Sequence, residues 1–269
     1  MTTAKPTDWG GEPGAFWAAN DLRYDAMLAP LTPHLLDAAA LTGTDRVLDV
    51  GCGCGNTSRL AARRAADVVG LDLSEPMLAR ARQRAADAGL TNVRFVRGDA
   101  QTAALEPADV VLSQLGVMFF EDPVAAFTNL RATGGRLAFL CWQGLEQNEN
   151  RAVIREALSP HVDLPAPRTT RGALSMTDPD RIRSLLAEAG YTGVELRDVR
   201  EQLRHGRDAD DVVAFAVREP ATAELLAGAP PEAARRATEA LRAAYAEHET
   251  PDGVLLGAAA WLVTARTMA

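Results

Sequence analysis

The chain has 269 residues, a formal net charge of −8, and 47% hydrophobic against 24% charged residues, which suits one large domain or one domain plus a cap. The acidic balance argues against a nucleic-acid partner, and no apolar run reaches the roughly 20 residues that span a bilayer. A polar start without a signal-peptide core and three cysteines, too few for a disulfide framework, point to the reducing cytoplasm.

The first ten or so residues, polar with Pro, Gly and Asp, read as disordered. A helix is predicted from Pro13 to Asn20, with Phe16, Trp17, Leu22, Tyr24, Met27 and Leu28 as the apolar and aromatic content of the region. A second helix runs from Pro33 to Leu41 and is closed by Gly43. Residues 46–50 then read as a buried parallel strand, an apolar run interrupted by one carboxylate, Asp49. Glycines at 51, 53 and 55 break it, and a helix follows from Asn56 through Ala65. Glycine admits unusual dihedrals and lets a ligand lie against the main chain. A strand, a glycine corner and a helix N-terminus together form a nucleotide-binding edge. A second acid, Asp72, ends the next strand (Ala66–Asp72) about 20 residues on, where a partner for ribose hydroxyls belongs.

Asp49 followed by Gly51-x-Gly53-x-Gly55 resembles motif I of the class I S-adenosylmethionine (SAM)-dependent methyltransferases. The resemblance implies that Asp49, Gly51, Cys52 and Gly53 meet the methionine part of SAM, with Asp49 orienting the loop or accepting from the ammonium. Asp72 would take the ribose hydroxyls, with Leu73 and Met77 beside them. Asp99 and Ala100 would hold the adenine; the alternative for Asp99 is a turn residue after Gly98. The N-terminal helical segment would act as a lid. Trp17 and Tyr24 then either face the ligands or pack that segment onto the domain.

Downstream, Ser74 caps a helix from Pro76 to Ala88 that ends at Gly89. Strands follow at Asn92–Arg97, leading into Gly98-Asp99-Ala100, and at Ala108–Gln114. A helix from Pro123 to Arg131 precedes a fifth strand, Arg136–Trp142. Asp178 and Pro179 open a helix running to Gly190, and Val194–Leu203 is a sixth strand. Helices Ala209–Val217 and Ala233–Glu249 flank a Pro230-Pro231 break, and Val254–Arg266 is the last strand. Strand–helix alternation argues for a Rossmann-like α/β fold with helices on both faces. The resemblance implies seven strands, mostly parallel, with the last inserted antiparallel between the fifth and sixth and a small helical cap from insertions. The expected organisation is a lid over 1–45, a SAM-binding core over 46–142, and completion of the sheet with the cap over 143–269, all one structural domain. Phe119-Phe120-Glu121-Asp122-Pro123, Trp142 with Asn148 and Asn150, the Pro160–Pro167 segment and Met176–Asp180 are similar to a bacterial group related to the ubiquinone/menaquinone-biosynthesis type.

Methyl transfer from SAM is an in-line displacement, so the protein's task is to align two reactants and exclude water. The resemblance implies that the end of the fourth strand faces the methionine part and the acceptor, where Gln114, with Ser113, is the polar group. The acceptor is expected to be a small molecule offering an O, N or C nucleophile. Its pocket, walled by Gly144–Ser175 and Arg204–Thr250, is expected to be largely apolar. Trp17, Tyr24, Trp142 and His161 are the candidate acceptor residues. His161 leads His34 as a possible base, with neither assigned a catalytic role; His205 and His248 read as surface residues, and Arg59, Arg63 and Arg64 as a solvated helix face. Cys52 and Cys54 lack the paired spacing of zinc sites, so no metal is expected. Two alternatives stay open. An NAD-binding oxidoreductase shares the glycine corner and Asp72, but the glycine spacing, Asp49 and Asp99 count against it. A SAM-binding protein of the same fold that transfers no methyl group differs in function alone. Nothing distinguishes a monomer from a dimer.

Overall fold

The computed structural model describes residues 8–166 and 172–267. Helices α1 (Glu12–Ala19), α2 (Asp21–Leu28) and α3 (Thr32–Ala39) come first, then β1 (Arg46–Val50), α4 (Asn56–Ala61), β2 (Asp67–Asp72), α5 (Glu75–Asp87), β3 (Val93–Arg97) and β4 (Val110–Gln114). The chain continues through α6 (Pro123–Arg131), β5 (Arg136–Trp142), α7 (Glu149–Leu158), α8 (Pro179–Glu188) and β6 (Tyr191–Gly206). It closes with α9 (Ala209–Ala216), α10 (Pro220–Ala227), α11 (Pro231–Ala246), the two-residue β7 (Glu249–Thr250) and β8 (Gly253–Thr267).

The strands order as β3-β2-β1-β4-β5-β8-β6, with β7 hairpinned onto β8. β1 to β5 pair in parallel, and β8 runs antiparallel between β5 and β6. Alternate side chains of the central strands enter two different cores, because successive residues of a strand face opposite sides. Leu48, Val111, Leu137 and Phe139 pack with Phe127 and Leu130 of α6 and Ile182 and Leu186 of α8. Val47, Val110, Leu112, Ala138 and Leu140 pack with Leu35 and Leu36 of α3 and Ala61 of α4. A strand buried on both faces favours apolar residues at nearly every position, which is why these strands read as apolar runs, with Asp49 and Ser113 as buried polar exceptions. A third cluster lies over the β8 start, where Val254 and Leu256 meet α9 and α11 through Val212, Val213, Leu241 and Tyr245. No helix among the described residues is long and apolar enough to cross a membrane.

Several boundaries differ from expectation. Of the segment read as disordered, residues 1–7 lie outside the described residues, but Asp8 to Gly11 form a turn in which Gly11 N donates to Asp8 O at 3.1 Å. Residues 12–28 are two helices divided at Asn20, whose side-chain amide donates to Phe16 O at 2.8 Å. Ala40, in a left-handed conformation at φ 47°, ends α3 before Gly43 is reached. Helices α7 and α10 were not anticipated. Pro167, the end of the Pro160–Pro167 segment, lies outside the described residues.

Candidate active site

The corner after β1 turns through Gly51, Gly53 and Gly55, all at positive φ (65°, 53° and 75°). A Cβ at Gly51 would lie 2.8 Å from Gly116 Cα, so the loops after β1 and β4 touch backbone to backbone. At Gly53 the nearest atom to such a Cβ is Met77 Sδ at 3.6 Å, leaving that face of the main chain open. Three bonds lock the corner to β2: Gly51 N and Cys52 N donate to Leu71 O at 2.8 and 3.2 Å, and Gly53 N donates to Asp72 Oδ2 at 2.8 Å. Ser74 N donates to the other oxygen, Oδ1, at 2.8 Å, while the Ser74 hydroxyl caps α5. Burial raises the Asp72 pKa, and backbone hydrogen bonds oppose the shift.

Asp49 sits behind the corner and does not line the cavity described below. It is 1% exposed, and Ser58 Oγ donates to its Oδ2 at 2.5 Å, tying α4 to β1. Burial pushes its pKa up to about 7, opposed by the Ser58 hydrogen bond. Cys52 and Cys54 are buried small side chains. Burial drives both thiols up, Cys54 to about 12, so neither is a ready thiolate.

A cavity of about 510 Å³ opens at the carboxyl ends of the parallel strands, where open α/β sheets bind ligands. One wall is Gly51, Cys52, Gly53, Asp72, Leu73 and Met77; the next is Gly98 to Gln101. Asp99 there accepts from Gln101 N at 2.9 Å and from Gln101 Nε2 at 2.9 and 3.2 Å. Gln101 Oε1 in turn accepts from Asp122 N at 2.5 Å, so Gln101 fixes the carboxylate against the start of α6. The β4 end supplies Gln114, Leu115 and Gly116. Gln114 Oε1 is buried without a hydrogen-bond partner. Leu115 takes φ 64°, a conformation costly for a non-glycine residue and concentrated at functional positions.

The lid side closes over this floor. Trp17 stacks on Tyr24 with ring centroids 3.7 Å apart, and Trp9 stands edge-on to Phe119 at 4.9 Å. Trp9, Trp17 and Tyr24 all line the cavity. Tyr24 OH donates to Glu219 Oε1 at 2.8 Å, joining α2 to the α10 start across the opening. Burial, then the Glu219 charge, raises the tyrosine pKa well above its ordinary value.

Opposite, the α7 start is anchored by Asn148. Its Nδ2 donates to the carbonyls of Gln143, Gly144 and Ala259 at 3.0–3.2 Å, and its Oδ1 accepts from Ala259 N at 3.1 Å. Glu149 Oε2 accepts from Gly257 N at 2.5 Å. This double tie to β8 brings Asn150, Arg151 and Ile154 to the cavity wall.

Of the residues expected to meet the cofactor, Gly51, Cys52, Gly53, Asp72, Leu73, Met77, Asp99, Ala100 and Gln114 line this one cavity, and Asp49 does not. Of the acceptor candidates, Trp17, Tyr24 and Trp142 line it. His161 does not: it lies in the turn after α7, at the helix end away from the cavity. The cavity histidine is instead His205, at the end of β6. Expected on the surface, it is half-buried, and desolvation followed by the Arg23 charge lowers it to about 4. His34 lies 2.6 Å from Glu201 Oε1 and is not at the cavity. Arg59 leaves the solvated face, reaching Asn56 Oδ1 and Asp25 Oδ2, each at 3.3 Å.

Residues 47–133 match the family profile described as "Methyltransferase domain". That stretch, from β1 to the end of α6, is similar to a methyltransferase domain. The uncharacterized protein Rv1405c of Mycobacterium tuberculosis (H37Rv) is 38% identical over 135 residues, 48% of this chain and 49% of that one. The chain thus spans about half the length of the curated relatives it matches. Among solved structures, YcgJ of Bacillus subtilis shares the fold at a TM-score of 0.60 and 17% identity, over 90% of this chain and 99% of that chain. Phosphoethanolamine N-methyltransferase 2 of Haemonchus contortus, solved with phosphomonomethylethanolamine and S-adenosylhomocysteine (SAH), has a TM-score of 0.58 and 15% identity, over 96% of this chain and 61% of that one.

The matched segment holds the glycine corner, Asp72, Asp99 and Gln114, but neither the lid nor the far wall. Sequence reasoning missed Trp9, Gln101, Arg151, His205 and Glu219 at the cavity. Only Gln101 had a local signal, as the side chain two residues after Asp99; the others reach the site from segments far away in sequence.

Proposed function

We propose that this chain is a SAM-dependent methyltransferase acting on a small-molecule acceptor. The observation that carries the reading is the convergence of the open glycine corner, Asp72 and Asp99 on a single cavity. The residues fit the cofactor. The Gly53 face leaves room against the main chain, and Gln114 Oε1 is a buried acceptor in need of a donor such as an ammonium.

Bound SAM supplies a methyl group on a sulfonium, open to in-line displacement. The rest falls to the chain's own side chains. Asp72 is held by two backbone donors, and each oxygen retains a lone pair for a ribose hydroxyl. Asp99, fixed by Gln101, presents a carboxylate at the next wall for the adenine amine. The acids at the cavity also complement a cationic donor. Trp9, Trp17 and Tyr24 exclude water above, as a transfer between aligned reactants requires. Asp25, at the same cavity, is raised to about 6 by burial, with Arg59 and Arg84 opposing.

The acceptor wall carries Tyr24, Trp142, Arg151, His205 and Glu219. His205, held neutral at physiological pH, and Glu219, raised by burial, are the groups that could take a proton from an acceptor that needs a base. The test is an acceptor screen with methyl-labelled SAM and purified protein. Label appearing in an organic acceptor supports the reading. Tight SAM binding with no transfer to any acceptor favours a cofactor-binding protein without transferase activity.

A further inference from the structure

Arg151 is the single Lys or Arg among the described residues that line the cavity. It sits in the first turn of α7, aimed by the ties from Asn148 and Glu149 to β8. Among the described residues its guanidinium makes no hydrogen bond or salt bridge. Arg151 is half-buried, and a partly desolvated cation left without a partner in a cavity is poised to pair with an anionic ligand. Its electrostatic neighbour, Glu219, does not satisfy it directly: that carboxylate takes its hydrogen bond from Tyr24 OH. Arg23, the other nearby arginine, is paired with Asp211 at 3.1 Å and donates to His205 O at 2.6 Å. One cationic fork with five donors is therefore left facing the space beside the aromatic lid.

We propose that Arg151 reads the acceptor, and that the acceptor is a planar, largely apolar small molecule bearing a carboxylate. This rests on the cofactor reading of the same cavity. The guanidinium fork matches the two oxygens of a carboxylate in a bidentate pair. A single negative charge suits a single cation; a phosphate would bring a second charge toward Asp25 and Glu219, which line the same cavity. The planar apolar body follows from Trp17, Tyr24, Trp142, Ile154 and Leu203, which line the same cavity, with Trp17 and Tyr24 stacked. Arg151 thereby acts on specificity, holding the acceptor while the rest of the site aligns its nucleophile.

The test uses the protein saturated with SAH and a matched pair of probes, 2-naphthoate and 2-naphthamide, which share shape and differ in charge. Calorimetry on the wild type should show naphthoate binding about tenfold or more tighter than the amide, the range of a charge-assisted hydrogen bond. Arg151→Gln should abolish that preference while leaving SAH affinity unchanged. If Arg151→Gln loses SAH binding, Arg151→Lys decides: keeping the charge without the fork, it should weaken naphthoate and leave the amide alone. Equal binding of the pair, binding of neither, or a preference that survives substitution overturns the proposal. Failure of the wild type to bind SAH at all would instead overturn the cofactor reading.

Discussion

The backbone N–H of Gly53 donates to Asp72 Oδ2 at 2.8 Å, so the glycine corner after β1 and the acid ending β2 form one unit. Under the proposed function, the carboxylate that would take the ribose also sets the shape of the loop that would meet the rest of the ligand. Asp72→Ala therefore removes two things together. SAH affinity should fall by about 100-fold or more, since a charge-assisted contact and the loop position that depends on it are both lost. Titration calorimetry checks this, and an affinity within about threefold of wild type contradicts it.

The glycine corner separates space from backbone strain. Gly53→Ala meets only Met77 Sδ, at 3.6 Å, but must hold φ 53°. It should cost about 1–2 kcal/mol of stability and still fold, with weakened SAH binding because the added methyl covers the open main chain. Gly51→Ala adds a 2.8 Å clash with the Gly116 backbone, which cannot yield as a side chain would. Strain and overpacking together should cost roughly 3 kcal/mol or more. Urea denaturation of the two variants should give that order, and the reverse order contradicts the packing described.

Gln114 Oε1, buried without a partner, should contribute to binding and not to folding. Gln114→Leu removes an unsatisfied acceptor, so the ligand-free protein should be unchanged or more stable by about 1 kcal/mol. SAH should bind about tenfold more weakly if that oxygen receives a donor from the ligand. Thermal melts with and without SAH separate the two effects.

Asp49 gives stability a pH dependence of known sign. Its folded value, about 7, lies above the ordinary 3.8 because it is buried. Between those values the folded chain binds the proton more tightly than the unfolded chain does. Its contribution is therefore fully present below about pH 4 and is lost as pH rises through about 7. Asp49→Asn keeps the acceptor for Ser58 and removes the titration. The difference in melting temperature between wild type and variant should change across that window and level off on either side. A difference independent of pH from 4 to 8 contradicts a buried titrating carboxylate.

What could be read from sequence divides along physical lines. The β1 corner was legible because glycine at positive φ and an acid at a strand end are local requirements that leave little choice of residue type. The sheet was legible because strands buried on both faces are apolar at nearly every position. The far wall was not: Tyr24 and Glu219 meet across 195 positions, and no local pattern records that pairing. Helix α10 buries no side chain fully, packing only Leu225 and Leu226 partly against the third cluster, so its apolar face is too short to read. His161 seemed placed for the acceptor because it follows β5 in sequence, but α7 enters the cavity at its N-terminal end and carries His161 away from it.

Titration of the purified chain with SAH and, in parallel, with NADH tests the central claim most directly. The account predicts saturable SAH binding at one site per chain, with no heat from NADH. A chain that leaves SAH unbound, or that takes NADH in its place, contradicts it.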